Sequence, residues 1–198
     1  MKIDKINNTS FQKKLVAKCG ILKDGAPATA KIYRLNKKED RDYFKNASKT
    51  PEWKNSMLLS DIRRGFRCCG NNKNYEFCVM EDENKNLLGI SGFFGYIGNR
   101  GYLMFLETAP NCSINNADRD TKYVGESLVS YHASKCLKNR KDFMVADIAS
   151  SKSAEDFYYR NCKFVPVGFH DGFMGYFGMR NLVKQNQEHT GKMVQVIA

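Results

Sequence analysis

The chain predicts an α/β fold of the mixed-sheet kind, and three observations carry that expectation. Apolar extended runs at 75–80, 86–97 and 101–109, joined by the short polar connections EDENK and GNR, predict an antiparallel meander. The next extended run, 143–149, is separated from 101–109 by a loop and a helical segment, long enough to make those two strands parallel neighbours. Apolar residues at helical spacing recur between the extended runs rather than in a block of their own. Together these imply a central mixed sheet of about six to seven strands flanked by about four helices.

Residues 1–27 read as a weakly patterned N-terminal extension, in which KLVAKCGIL, KDGAP and ATAKIYRL can form a hairpin turning at Asp24-Gly25. The alternation of Ala30, Ile32 and Tyr33 with Lys31 and Arg34 predicts a strand over 28–35. Two helices follow, in KKEDRDYFKNA and TPEWKNSMLLSDIRRGF. The second has Thr50 as a cap, Pro51 at the first helical position and Glu52 to complement the dipole. Its Trp53, Met57, Leu58, Ile62 and Phe66 share one face and read as core. After the meander and Pro110 comes a polar loop, then a helix with Leu128, Val129, Ala133, Cys136 and Leu137 on its apolar face. The strand DFMVADIA leads to a short helix, SAEDFYYRN, capped by Ser151 or Ser153, and two last strands at KFVPVG and FMGYFGMR. The domain is expected over 28–180, with 181–198 a polar tail in which MVQVIA can still pair.

At 198 residues the chain is expected to bury one core without a staple. Seven cysteines, odd in number, irregularly spaced and without a CxxC, predict reduced, mostly buried thiols and no metal site. The charged N-terminus and the lack of a long apolar run predict a cytosolic protein with no membrane partner. A net charge of +11 favours an anionic partner, either nucleic acid or a small polyanionic cofactor, although no RNP pair or KH-type loop is present. No G-x-S-x-G elbow points to serine hydrolysis.

The segment DTKYVGESLVSYH places one glycine in a polar run at a helix start, directly after a strand and loop. First-turn amides and the helix dipole form an anion site wherever no side chain blocks access, and Gly125 and Ser127 are the small residues that keep it clear. KYVGES resembles the Q/R-x-x-G-x-G/A pyrophosphate loop of the GNAT acetyltransferase superfamily, with Lys122, Gly125 and Ser127 in the three motif places. YLMFLETAP resembles that family's fourth strand, and SAEDFYYRNCKF its A-x-x-F-Y…G-F segment. Element order agrees over about 28–180.

This resemblance implies a GNAT-like fold and an acetyl-CoA-dependent N-acetyltransferase, moving an acetyl group to a primary amine of a small molecule, an amino acid or a protein by direct attack. It implies that Thr108 and Ala109 offer backbone bonds to pantetheine, while the amides of Tyr123, Val124, Gly125, Glu126 and Ser127, with Lys122 beside them, hold the diphosphate. The general acid is implied to be Tyr158, counting forward from Ala154, or Tyr159, counting back from Phe164, because the segment is one residue longer than usual. Lys163 stands where the family has a glycine, and Ser151 stands where many members have an asparagine.

Glu107 is the strand carboxylate nearest the implied thioester and the candidate base; alternation puts it on the opposite face from Thr108. Asp147 is a second candidate. His132 is read as a partly exposed helix residue without a catalytic role. An aminoacyl-tRNA acceptor would exploit the basic surface, with salt sensitivity as its signature. The alternative from another class is a CoA-binding sensor or interaction module without turnover, and an RNA-binding protein ranks after it. The sequence carries no motif for the acceptor or for oligomeric state; a dimer is compatible with it.

Overall fold

The computed structural model describes residues 13–36, 40, 42–54, 56–69, 73–145, 156–170, 173–178 and 194–197. Its first element is the predicted hairpin, β1 (Lys14–Lys23) and β2 (Ala26–Arg34). The turn falls at Asp24-Gly25, both with positive φ of 51° and 78°, which matches the twist of the flanking strands. The hairpin lies inside the fold: Ala17, Cys19 and Ile21 of β1 are buried in the main core cluster.

Helix α1 (Tyr43–Ala47) is shorter than the sequence implies, and α2 (Met57–Cys69) begins later. The Thr50-Pro51-Glu52 signal does not open α2. Residues 51–54 form turns, the Thr50 hydroxyl donates to the Ala47 carbonyl at 3.0 Å, and the helix is capped by Ser56, whose Oγ accepts from the Leu59 N–H at 2.8 Å. Trp53 is still core, as its spacing predicts, but it is held from a turn, with Nε1 donating to the Leu87 carbonyl at 3.0 Å.

Strands β3 (Tyr75–Glu81), β4 (Leu87–Ile97) and β5 (Arg100–Thr108) form the predicted antiparallel meander. After the two-residue β6 (Thr121–Lys122) and α3 (Val124–Lys138), β7 (Asp142–Val145) lies parallel to β5, as the long crossover requires. Strands β8 (Val165–His170), β9 (Phe173–Gly178) and β10 (Val194–Val196) complete a sheet of order β10-β1-β2-β3-β4-β5-β7-β9-β8. β6 pairs with β1 at Leu22 and Lys23, along the edge on which β10 pairs at Ala17 to Cys19. The strands beyond the expected six or seven are the hairpin's β1 and the short β6 and β10, which both pair with β1 from far along the chain.

Alternation along β3 separates the two faces. Phe77 packs toward α1 and α2, in edge-to-face contact with Phe66 at 5.2 Å, and Phe66 contacts Phe44 in the same way at 5.4 Å. Glu76 points to the opposite face and meets α3. Among the described residues no helix is long and apolar enough to cross a membrane.

Candidate active site

The site begins with a defect in β5. Gly92 opposes Phe105 and Phe93 opposes Leu103, so Met104 is an extra residue with no opposite partner in β4. A bulge of this kind bends its strand and increases the local twist. On its other side β5 pairs with β7 from Arg100 to Leu103, opposite Asp142 to Val145, and along β4 its pairing runs to Thr108.

Beyond the bulge, the Ala109 N–H donates to the Leu88 carbonyl at 2.8 Å. An antiparallel ladder alternates bonded and non-bonded pairs, so the peptide groups of Leu106 and Thr108 face the other way, toward the side that β7 borders. Ala109 is buried, its amide is committed to β4, and its carbonyl accepts from the Cys112 N–H at 2.8 Å, so both of its backbone groups already have protein partners.

The N-terminus of α3 stands beside this segment. An ideal Cβ on Gly125 would lie 3.0 Å from Phe157 Cζ and 3.7 Å from Thr108 Cγ2, so the bare glycine lets helix, strand end and Phe157 converge. Tyr123 is the N-cap residue, in the left-handed region with φ 72°, and it makes no side-chain cap bond. The Ser127 N–H closes the first helical bond to the Tyr123 carbonyl at 3.1 Å. The amides of Val124, Gly125 and Glu126 are therefore the ones that helix geometry leaves without an intrahelical acceptor. Lys122 is exposed and fixed by β6 pairing, while the Asp24 N–H at the hairpin tip donates to the Asp120 carbonyl at 2.8 Å. The Ser127 hydroxyl is fully buried and lies near the Cys19 thiol. Glu126 is half-buried and accepts from Asn161 Nδ2 at 3.2 Å.

No protein family model matches the chain, and no curated protein matches it. Solved structures do. A chimera of spermidine N-acetyltransferase SpeG from Vibrio cholerae and hSSAT superimposes with TM-score 0.54 at 14% identity, covering 78% of this chain and 98% of that one. A GNAT-family acetyltransferase from Listeria monocytogenes 4b F2365 does so with TM-score 0.52 at 14% identity, covering 80% and 98%. The fold is that of the GNAT acetyltransferase superfamily.

Within this GNAT fold Glu107 and Thr108 lie on opposite faces, as strand alternation predicts. The Glu107 carboxylate meets Ser56 at the start of α2, and Thr108 meets Gly125 on the α3 side. The Ser56 hydroxyl lies 2.8 and 2.7 Å from the two carboxylate oxygens. Burial pushes the Glu107 pKa above the ordinary carboxylate value, and the Ser56 hydrogen bond opposes that rise. Sequence reasoning missed Ser56 because Thr50-Pro51 offered a stronger-looking helix start. The usable signal was a serine directly before the apolar run MLLSDI.

The extra residue near the two tyrosines is absorbed by a π-turn over Phe157–Asn161, where the Cys162 N–H reaches back to the Phe157 carbonyl at 3.0 Å. Tyr158 points inward, 1% exposed in the second core cluster, whereas Tyr159 is 57% exposed. Lys163 has φ 57°, so it keeps the left-handed backbone that a glycine adopts freely. Ser151, Ser153, Asp147 and Ala154 lie outside the described residues.

His132 is a correction. It is fully buried rather than partly exposed, stacked on Phe93 at 5.0 Å, with Nε2 2.9 Å from Ser91 Oγ. Its Nδ1 lies 4.0 Å from Glu76, which accepts from Tyr131 at 2.9 Å and Lys135 at 2.5 Å. Burial lowers the His132 pKa to about 3, so the imidazole is neutral at neutral pH. This network sits on the α3 face under the middle of the helix, and its partners come from β3 and β4, which no local pattern around His132 announces.

Proposed function

We propose that this protein is an acetyl-CoA-dependent N-acetyltransferase that moves an acetyl group to a primary amine by direct attack. The observation that carries the reading is the convergence at Gly125: an uncapped helix N-terminus, the end of β5 past its bulge, and Phe157 meet where a Cβ would press on the ring. Those groups suit a diphosphate and an extended amide-bearing arm, the two parts of CoA that need donors from a protein. Val124, Gly125 and Glu126 supply the amides for the diphosphate, and Leu106 and Thr108 supply strand peptide groups for the arm, with Ala109, Lys122, Tyr123 and Ser127 around them; Ser151 is proposed on the resemblance alone.

Acetyl-CoA supplies the activated acetyl thioester. Glu107 takes the proton that the amine gives up as it attacks, and its raised pKa suits a base working near neutrality. Tyr158, on the inward side of the π-turn, gives a proton to the departing sulfur; Tyr159 faces solvent and is assigned the rim. The fold neighbours include spermidine N-acetyltransferases, so polyamines are the first acceptors to screen, followed by amino acids, peptides and aminoacyl-tRNA. The compartment proposed is the cytoplasm.

The test is acetyl-CoA-dependent thiol release across that amine set, with calorimetric titration of acetyl-CoA into the native protein and into Gly125→Trp. Turnover with an amine, lost in a Tyr158→Phe variant, supports the enzyme. Binding without turnover favours a CoA-sensing module, and no binding by the native protein overturns the whole reading.

A further inference from the structure

We infer that Ser56 is a positioning residue for Glu107, joining the cap of α2 to the carboxylate of β5 through one hydroxyl. Its oxygen accepts from the Leu59 N–H at 2.8 Å, which commits a lone pair to the helix. The hydroxyl hydrogen is then left to point at the carboxylate, 2.7 to 2.8 Å away. A hydroxyl placed in this way bonds more strongly to the anion than to the neutral acid, so it favours the ionised carboxylate and fixes its orientation.

The surroundings make this donor matter. Glu107 is half-buried in a strand, and among the described residues no lysine, arginine or histidine is paired with it. Burial alone drives its carboxyl toward the neutral form, in which it cannot take a proton from an amine. Ser56 holds the group in its working form without a permanent counter-charge that would quench its basicity. Because Ser56 also starts α2, any shift of the α1–α2 connection that moves the cap also moves the donor away from Glu107.

The inference rests on Glu107 as the base, and the variants separate the two ideas. Glycine in place of a capping serine costs a helix only a few tenths of a kcal/mol. A purely structural cap role therefore leaves Ser56→Gly nearly silent, in stability and in the titration of Glu107 alike. A positioning role predicts that Ser56→Gly raises the Glu107 midpoint, because the donor is gone. Ser56→Asp keeps the cap but sets a like charge against the carboxylate, and raises the midpoint further; Ser56→Thr keeps the hydroxyl and preserves it. The measurements are the Glu107 side-chain carboxyl titration by carbon-detected NMR on the full chain and the acidic limb of kcat/KM against pH. The expected result is a midpoint raised by about one pH unit in Ser56→Gly, with the acidic limb moving in step. An unmoved midpoint in Ser56→Gly overturns the inference. Full activity and an unchanged profile in Glu107→Gln overturn the base assignment instead, whatever Ser56 does to the titration.

Discussion

Phe157 closes on Gly125 so tightly that a Cβ there would lie 3.0 Å from Cζ and 3.3 Å from Cε2 of its ring. The aromatic residue, from a turn late in the chain, fills the space that a side chain on the first turn of α3 would need. Gly125→Ala must push the ring or tilt the helix start, which spoils the aim of the first-turn amides. Acetyl-CoA affinity is expected to fall roughly tenfold, about 1.4 kcal/mol. Trimming the ring in a Gly125→Ala, Phe157→Leu double variant restores part of it; calorimetric titration of the single and double variants reads both.

Gly101 is a stricter case in the core. A Cβ there would stand 2.6 Å from Cys136 Sγ and 2.6 Å from Phe93 Cζ, both on buried side chains. Gly101→Ala is expected to cost ~1–3 kcal/mol through overpacking. Urea denaturation should show a lower midpoint with an unchanged slope, and Phe93→Leu in the same chain should recover part of the loss.

The buried imidazole of His132 sets a pH dependence of stability. Its folded pKa, about 3, lies below the ordinary 6.5, so the unfolded chain binds a proton that the folded chain refuses. Stability is whole above about pH 6.5 and declines as pH falls toward 3, at up to ~1.4 kcal/mol per pH unit from this group. Glu76, Lys135, Arg34 and Tyr131 face the same network, and the lowered Glu76 pKa adds a second loss further into acid. Between about pH 6.5 and 5, His132→Gln should remove the slope whatever it does to stability at neutral pH. Denaturation at several pH values decides it.

Lys163 carries a left-handed backbone, φ 57°, directly before the buried Phe164. A side chain in that region strains the backbone by ~1–2 kcal/mol, partly offset by glycine's larger loss of chain entropy. Lys163→Gly should therefore raise stability by roughly 0.5–1 kcal/mol, and Lys163→Val should lower it. Thermal denaturation of the two variants tests the order.

Thiol chemistry should be selective. Cys19, Cys78, Cys112, Cys136 and Cys162 are buried, and burial pushes their pKa values up, to about 12 for Cys19, Cys112 and Cys136. Cys68 is exposed on the last turn of α2. Aromatic disulfide reagents at mildly alkaline pH should modify Cys68 within minutes and leave those five intact until the chain unfolds; mass mapping of the labelled peptides reads the outcome.

The strand meander, the parallel crossover and the Asp24-Gly25 turn were legible because each depends on neighbours in the chain: alternation, connection length and a turn that needs positive φ. Gly125 was legible for the same reason, as the one bare position in a polar run opening a helix. The start of α2 was misread because Thr50-Pro51-Glu52 satisfies every local rule for a helix start, while Trp53 is claimed instead by the Leu87 carbonyl across the sheet. Ser56 then takes the cap. The environment of His132 was illegible for a similar reason: Ser91, Phe93 and Glu76 reach it only once β3 and β4 pass beneath α3.

By itself the sequence determined the kind of sheet, the order of its elements and the glycine at the helix start, since short-range sterics and periodicity act within a few residues. Tertiary structure alone decided that Met104 bulges out of the β4–β5 register, that Phe157 is the side chain facing Gly125, and that Ser56 meets Glu107. Each of these is a contact between segments far apart in the chain, fixed by the register of the sheet and the seating of the helices on it, and no local preference encodes such a register.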